Sequence, residues 1–317
     1  MVEVSIIIPS YNRKEILKSC LEALFNQNFP KDDYEIILID DGSTDDTEKM
    51  VKSLSPPCRL TYIKNERRLG QSISRNKGIK EAKGKYLIFV DSDIIVIPDF
   101  IREHLKFHNL YKEVVVNGEL IYISSLDQVG KKKKSIWDIS FSPFNTANVS
   151  VKKEYVEKVG GFDTELFPYG WQDIELGYRL KKMGLRIKKN PKALGYHFKK
   201  ETKNEKDLEF LKEKEFMRGK SGALFLKKHP SLEVKLSVKG NPLFCFAFIG
   251  RFLEENPKGK KFFAEIQKKN IKWLNAAFFK LILCHFYLKG YNEQVKKRKI
   301  INDDKKIQEG KKDKRPA

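Results

Sequence analysis

The chain has 317 residues, 40% hydrophobic and 12% aromatic, with a formal net charge of +21. That apolar content excludes wholesale disorder, and the length allows either one large core with an appendage or two domains. The basicity is uneven: residues 202–317 carry 29 Lys and Arg against 14 Asp and Glu, so most of the excess sits in the C-terminal third and points to an anionic partner, nucleic acid or a membrane surface.

Strand-like and helix-like segments alternate from the start. Val4–Pro9 is β-branched and apolar and gives way to "PSYN"; Lys14–Asn26 then sets Ile16, Leu17, Cys20, Leu21, Leu24 and Phe25 at helical spacing. Tyr34–Ile39 is a second apolar strand, followed by "DDGSTDDTEKM", where Ser43 and Asp46 have the spacing of a capping box for a helix to about Ser53. "LTYIKN" predicts a third strand, Ser72–Ala82 a helix, and Tyr86–Val90 a fourth strand. Val114–Ser124 reads as a strand, "GKKKKS" as an exposed loop, and "NVSVKKEYVEKVGGFD" as a strand, a short helix and a Gly-rich turn. "GWQDIELGYRLKKMG" predicts a helix capped by Gly184, and "LRIKKN" and "ALGYHF" two short closing strands. Strands separated by helix-length segments imply crossovers. The expected fold is therefore α/β, a mostly parallel central sheet flanked by helices, over residues 1–201.

Beyond about residue 202 the pattern turns to Lys/Glu-rich helix and two apolar runs, "PLFCFAFIGRFL" and "WLNAAFFKLILCHFYL". Neither has the ~18–20 uninterrupted apolar residues of a spanning helix. Residues 202–296 are expected to be mainly helical and 297–317, rich in Lys and Asp, a disordered tail. Cys20, Cys58, Cys245 and Cys284 form no Cys-x-x-Cys pair and read as buried, reduced thiols. The N-terminal residues begin as a strand and carry no signal-peptide pattern, so the expected location is the cytoplasm.

The chemistry gathers at strand ends. "PSYN" follows the first strand, "DDGS" the second and "DSD" the fourth, and in a parallel sheet these ends share one rim, where open α/β folds bind ligands. Asp40, Asp41, Asp91 and Asp93 would thus converge. So many carboxylates repel unless a metal, a basic side chain or water offsets them. With no base evident nearby, a divalent cation, Mg²⁺ or Mn²⁺, is the economical solution for oxygen ligands.

In "VSIIIPSYNR", "IILIDDGSTDDT", "NERRLGQSISRNKGIKEAKGKYLIFVDSD", "NVSVKK…VGGFD" and "GWQDIELGYRLKKMG", taken in that order, the sequence resembles family-2 glycosyltransferases of the type-A glycosyltransferase fold, over roughly residues 2–200. The resemblance implies transfer of a sugar from a nucleotide-diphosphate donor to an acceptor hydroxyl, usually with inversion. It implies that Asp41, assisted by Asp40, reads the nucleobase edge, that Pro9 and Tyr11 line the nucleoside pocket, and that Arg75 contacts the nucleotide. Asp91 would bind the ribose, and Asp93, with His197, the divalent cation. Asp173 falls at the position of the general base, with Gln172 where relatives carry a first acid, and Glu175 faces elsewhere on the same helix. Trp171 and Asn148 of "FNTAN" fall on the acceptor side. Two readings of the C-terminal helices stay open: an amphipathic helix in a membrane interface, suited to a lipid-linked or cell-surface glycan acceptor, or helices packed on the protein or on a second copy. A nucleic-acid-binding protein is a weaker alternative, since no nucleic-acid module is present.

Overall fold

The apolar runs of the N-terminal two-thirds become strands of one sheet. In the computed structural model, which describes residues 2–133, 142–166, 169–199, 205–269 and 271–312, these are β1 (Val4–Ser10), β2 (Tyr34–Asp40), β3 (Arg59–Lys64), β4 (Tyr86–Val90), β5 (Ile94–Val96), β6 (Val114–Ile123), β7 (Asn148–Lys152) and β8 (Arg186–Phe198). Their order is β3-β2-β1-β4-β7-β6-β8-β5. β3, β2, β1 and β4 run parallel, β7 is antiparallel to both neighbours, β8 is parallel to β6, and β5 closes the edge antiparallel to β8. The mixed α/β class expected from the sequence is what the chain adopts.

Helices α1 (Lys14–Phe25), α2 (Thr47–Lys52), α3 (Gln71–Glu81), α4 (Phe100–Leu110), α5 (Lys153–Lys158) and α6 (Gln172–Lys182) serve this sheet. Side chains alternate across it, so continuous apolar strands feed two cores. Ile6, Ile8, Ile88 and Val90 pack with Leu17, Leu21 and Leu24 of α1 and Phe100 of α4, whereas Ile7, Leu87 and Phe89 pack with Ile79 of α3 and Leu176 and Leu180 of α6. Gly78 is what lets α3 lie close, since a Cβ there would meet the side chains of Ile7 and Ile39.

Several expectations need correction. β5 and α4 were not legible as separate elements. The two closing strands are one, β8, running through Pro191 with a register break opposite Asn117–Glu119. Ser43 does not cap α2: its hydroxyl accepts the N–H of Asn12 at 2.9 Å, Asp46 holds the cap position, and Asp45 takes the N–H of Thr47 at 3.2 Å. Cys20, Cys58 and Cys284 are buried thiols, but Cys245 is exposed. The "GKKKKS" loop is described only as far as Lys133.

The chain divides into two compact units, Met1–Glu165 with Gln172–Glu201, and Leu166–Trp171 with Thr202–Ala317. The second is helical: α7 (Glu205–Lys228), α8 (Leu232–Lys239), α9 (Ala247–Glu255), α10 (Pro257–Lys268) and α11 (Lys272–Lys312). The backbone of 297–312 continues α11, in keeping with its many good helix formers; 313–317 lie outside the described residues. α7 and α11 meet backbone to backbone. A Cβ on Gly219 would collide with the carbonyl of Tyr287, and one on Gly290 with that of Phe216. Leu253, Phe263 and Ile282 tie α9, α10 and α11 together. Among the described residues no helix is long and apolar enough to cross a membrane.

Candidate active site

The carboxyl ends of β1, β2, β4 and β8 build the site, as their shared rim requires. At the end of β2, Asp40 is fully buried; one oxygen accepts the N–H of Ser43 at 2.8 Å and the other the hydroxyl of Tyr62 at 2.6 Å. Asp41 is more heavily engaged. It accepts from Asn65 Nδ2 (2.9 Å), the N–H of Leu69 (2.8 Å), the N–H of Gly70 (2.8 Å) and Ser74 Oγ (3.1 Å). Both oxygens therefore hold the turn that starts α3. Arg68 in that turn lies over the ring of Tyr11, 4.6 Å from its centroid. Pro9, at the end of β1, sits opposite Ile39.

The Asp91–Asp93 pair has basic partners, which corrects the expectation that no base stands near it. Arg75 is 3% exposed and donates to Asp91 at 2.8 Å while lying over the ring of Phe162 at 5.5 Å. Arg13, exposed at the start of α1, donates to Asp93. β8 delivers His197: its pairing with β5 puts His197 opposite Ile94, and Nε2 lies 3.5 Å from Asp93 Oδ2. Burial works to raise the pKa of Asp93, but His197 and Arg13 outweigh it and hold the carboxyl below its ordinary value. Each of the two acids thus faces an arginine. Arg13, Asn65 and Ser74 were not singled out from the sequence. Arg13 had a visible signal, an arginine just past the "PSYN" rim; Asn65 and Ser74 become legible only once Asp41 is placed.

A divalent cation at this place would draw on few protein atoms. Asp93 Oδ1 and His197 Nδ1 are buried without a hydrogen-bond partner. No group of three or more His, Cys, Asp or Glu gathers to hold a metal among the described residues. Mg²⁺ and Mn²⁺ suit such a site, since Mg²⁺ commonly takes one or two carboxylates and completes its shell with water and phosphate oxygens.

Asp173 opens α6, its Oδ1 on the N–H of Ile174 at 2.9 Å. Burial dominates in pushing its pKa up; the backbone N–H of Ile174 and the charge of Arg75 oppose, and Asp91 adds to the rise. Asp173 thus shares the field of the Arg75–Asp91 pair. Glu175 is spent elsewhere: it is 1% exposed and bonds Arg179 through both oxygens at 2.6 Å, and Arg179 reaches the carbonyls of Val159 and Gly161. That clamp fixes the "GGFD" turn, as does Asn76, which bonds both N–H and C=O of Phe162 at 2.8 Å.

The two residues expected on the acceptor side are both buried. Asn148 is fully buried in the sheet, with Oδ1 on His104 Nε2 (2.9 Å) and Nδ2 on the carbonyls of Glu119 and Ala193 (2.9 Å each); it joins strands. Trp171 is 7% exposed and belongs to the helical unit, its Nε1 on the carbonyl of Arg218 at 3.0 Å and its ring near Phe225 and Tyr287. Its φ of 70°, after Gly170 at 81°, is a left-handed conformation uncommon for so large a residue.

Comparison with known proteins follows the same lines. A family model described as glycosyl transferase family 2 matches residues 5–162, and one described as the N-terminal domain of galactosyltransferase matches residues 132–203. The chain is 27% identical over 254 residues to an uncharacterized glycosyltransferase, YfnE, of Bacillus subtilis, covering 62% of this chain and 64% of that protein. It spans less than two thirds of the length of the curated relatives it matches first. Among solved structures, the mannosyltransferase PcManGT from Pyrobaculum calidifontis, in complex with GDP-Man and Mn²⁺, superposes with a TM-score of 0.63 at 16% identity, over 92% of this chain and 87% of that one. Residues 1–349 of TarS from S. aureus, in complex with UDP-GlcNAc, give 0.54 at 19% identity, over 92% of each chain.

Proposed function

The chain belongs to glycosyl transferase family 2 and is a glycosyltransferase, and from that premise we propose that it transfers a sugar from a nucleoside-diphosphate donor to an acceptor hydroxyl with inversion, using Asp173 as general base. The observation that carries this reading is the environment of Asp173. It is a carboxylate at a helix start, raised in pKa by burial, beside the Arg75–Asp91 pair at the rim.

The chemistry follows from those positions. Asp173 takes the proton of the acceptor hydroxyl as its oxygen bonds to the anomeric carbon. The bond from that carbon to the diphosphate breaks on the opposite face, so one displacement inverts the centre. Asp91, braced by Arg75, accepts from the donor's ribose, and the turn held by Asp41 shapes the nucleoside slot beside Tyr11 and Pro9. Because both oxygens of Asp41 are engaged, it reads the base mainly through the turn it holds. Asp93 and His197 would hold a divalent cation, Mn²⁺ or Mg²⁺, which when bound neutralises charge on the departing diphosphate. The Mn²⁺ in the PcManGT complex supports this assignment. The acceptor belongs to the class of cell-surface polysaccharides, lipopolysaccharides or glycolipids.

The test is a donor panel. UDP-, GDP- and dTDP-sugars are incubated with Mn²⁺ or Mg²⁺, and nucleoside diphosphate release is followed for the protein and for Asp93→Ala and Asp173→Asn. We expect metal-dependent release from one donor, lost in Asp93→Ala and reduced by about 10²-fold or more in Asp173→Asn, with nucleotide binding retained in the latter. An unimpaired Asp173→Asn, or calorimetry showing that no nucleotide sugar binds, would overturn the reading.

A further inference from the structure

The helical unit shows aromatic rings to solvent that its own core does not use. Phe246 is 51% exposed, Phe248 on α9 67%, and Phe252, one turn later, 45%. α10 adds Phe262, 45% exposed and edge-on to Phe278 of α11 at 6.0 Å. At the start of α11, Trp273 is 73% exposed, and Ala276, Ala277 and Lys280 extend the same open stripe at helical spacing. The core that joins these helices is built instead from Leu253, Phe263 and Ile282. Single exposed apolar residues are ordinary, but several large rings on three adjoining helices are not.

The charge around them is mainly positive. Residues 241–280 hold eight Lys and Arg against three acids, and Lys258, Lys260, Lys261, Lys268 and Lys269 are exposed on and just after α10. Two of the acids are turned to other cations: Glu254 to Lys212 at 2.6 Å, Glu255 to Arg251 at 2.9 Å and His285 at 3.1 Å.

From this pairing of exposed rings with lysines we infer that the face made by α9, α10 and the first turns of α11 docks on an anionic bilayer, in the plane of its surface. No described helix is long enough to cross one. Aromatic rings rest at headgroup depth, while each lysine gains from the negative surface potential. A second copy would bring like charge against like. A base-free polyanion such as polyphosphate would engage the lysines and leave the Phe and Trp rings without an apolar partner. The inference goes beyond the glycosyltransferase reading, and its test needs no donor.

The test is flotation of the full chain with vesicles of phosphatidylcholine alone and of phosphatidylcholine with an equal part of phosphatidylglycerol, with Trp fluorescence read in parallel. We expect at least tenfold tighter binding to the anionic vesicles, weakened at about 0.5 M NaCl, with a blue shift in Trp emission. Phe248→Glu and Trp273→Glu should each reduce binding at least tenfold and leave donor hydrolysis and the melting temperature unchanged, as both side chains are exposed. Lys260→Glu with Lys261→Glu should remove the preference for the anionic lipid. Equal binding to both vesicles, no binding to either, or variants that bind like the parent would overturn the inference. So would a dimer that dissociates in Trp273→Glu, which assigns the face to a second copy, or polyphosphate binding that those variants lose while vesicles are ignored.

Discussion

Asp41 shows how one residue can be found by sequence while its partners stay hidden. Its place after β2 was legible, but its partners were not, because Asn65, Leu69, Gly70 and Ser74 come from a turn whose path no periodicity encodes. Asp41→Asn would set an amide donor against groups that are donors themselves. We expect a loss of about 2–3 kcal/mol in denaturant unfolding, and weaker nucleotide binding as the turn loosens. Arg75 is the companion case. The resemblance implies a nucleotide contact for it, and its surroundings explain why arginine suits the place: the buried guanidinium both donates to Asp91 and lies over Phe162. Lysine cannot do both. Arg75→Lys should weaken nucleotide binding at least tenfold by calorimetry. At Asp173, a base must be ionised to work, and its pKa lies above the ordinary aspartate value. Activity should therefore rise with pH through a midpoint above ~3.9, and that acid limb should vanish in the residual activity of Asp173→Asn.

Among the elements, α4 against β7 holds a polar chain whose protons can be placed. Asn148 Nδ2 donates to two carbonyls, so its Oδ1 must accept from His104 Nε2; His104 Nδ1 then accepts from Ser150, whose oxygen accepts from His108 Nε2. This arrangement has both histidines in the neutral form, which their burial favours. Burial lowers His104 to about 4 and His108 to about 3, helped at His108 by the charge of His104 and Lys152. The unfolded chain takes up these protons near pH 6.5, before the folded one does, so stability should fall as pH drops below that value. The slope is about 1.4 kcal/mol per pH unit for each histidine. Urea unfolding at pH 7 and pH 5 checks it, and a His104→Gln, His108→Gln variant should flatten the dependence. None of this was legible beforehand. α4 went unrecognised, and strand β7 was seen without the helix that turns Asn148 inward. The parallel strands were legible because a strand buried on both faces is apolar at every position, whereas the β8 bulge depends on contacts with β6 that its own residues do not announce.

For the whole molecule, the chain visits the helical unit twice, once through the short segment Leu166–Trp171 and again from Thr202. The sequence suggested a single boundary near residue 201, because composition changes only there; the earlier visit is made by six residues with no compositional mark. Trp171 is two residues from Asp173 and is fixed by Arg218, Phe225 and Tyr287. Ending the chain at residue 201 removes all three partners from a residue already in a left-handed backbone conformation. We expect such a fragment to melt lower and to lose transfer at least tenfold more than it loses nucleotide binding, measured by activity and calorimetry on the same preparation.

The close meeting of α7 and α11 has a bearing on temperature. At Gly219 and Gly290 the contact is between backbones, through Cα–H groups facing carbonyl oxygens, rather than between greasy side chains. Burial of apolar surface stabilises less as water is chilled, whereas contacts of this kind carry no such dependence on water structure. The joint between the two longest helices should therefore keep its hold in the cold, when the apolar contacts of Leu253, Phe263 and Ile282 weaken first.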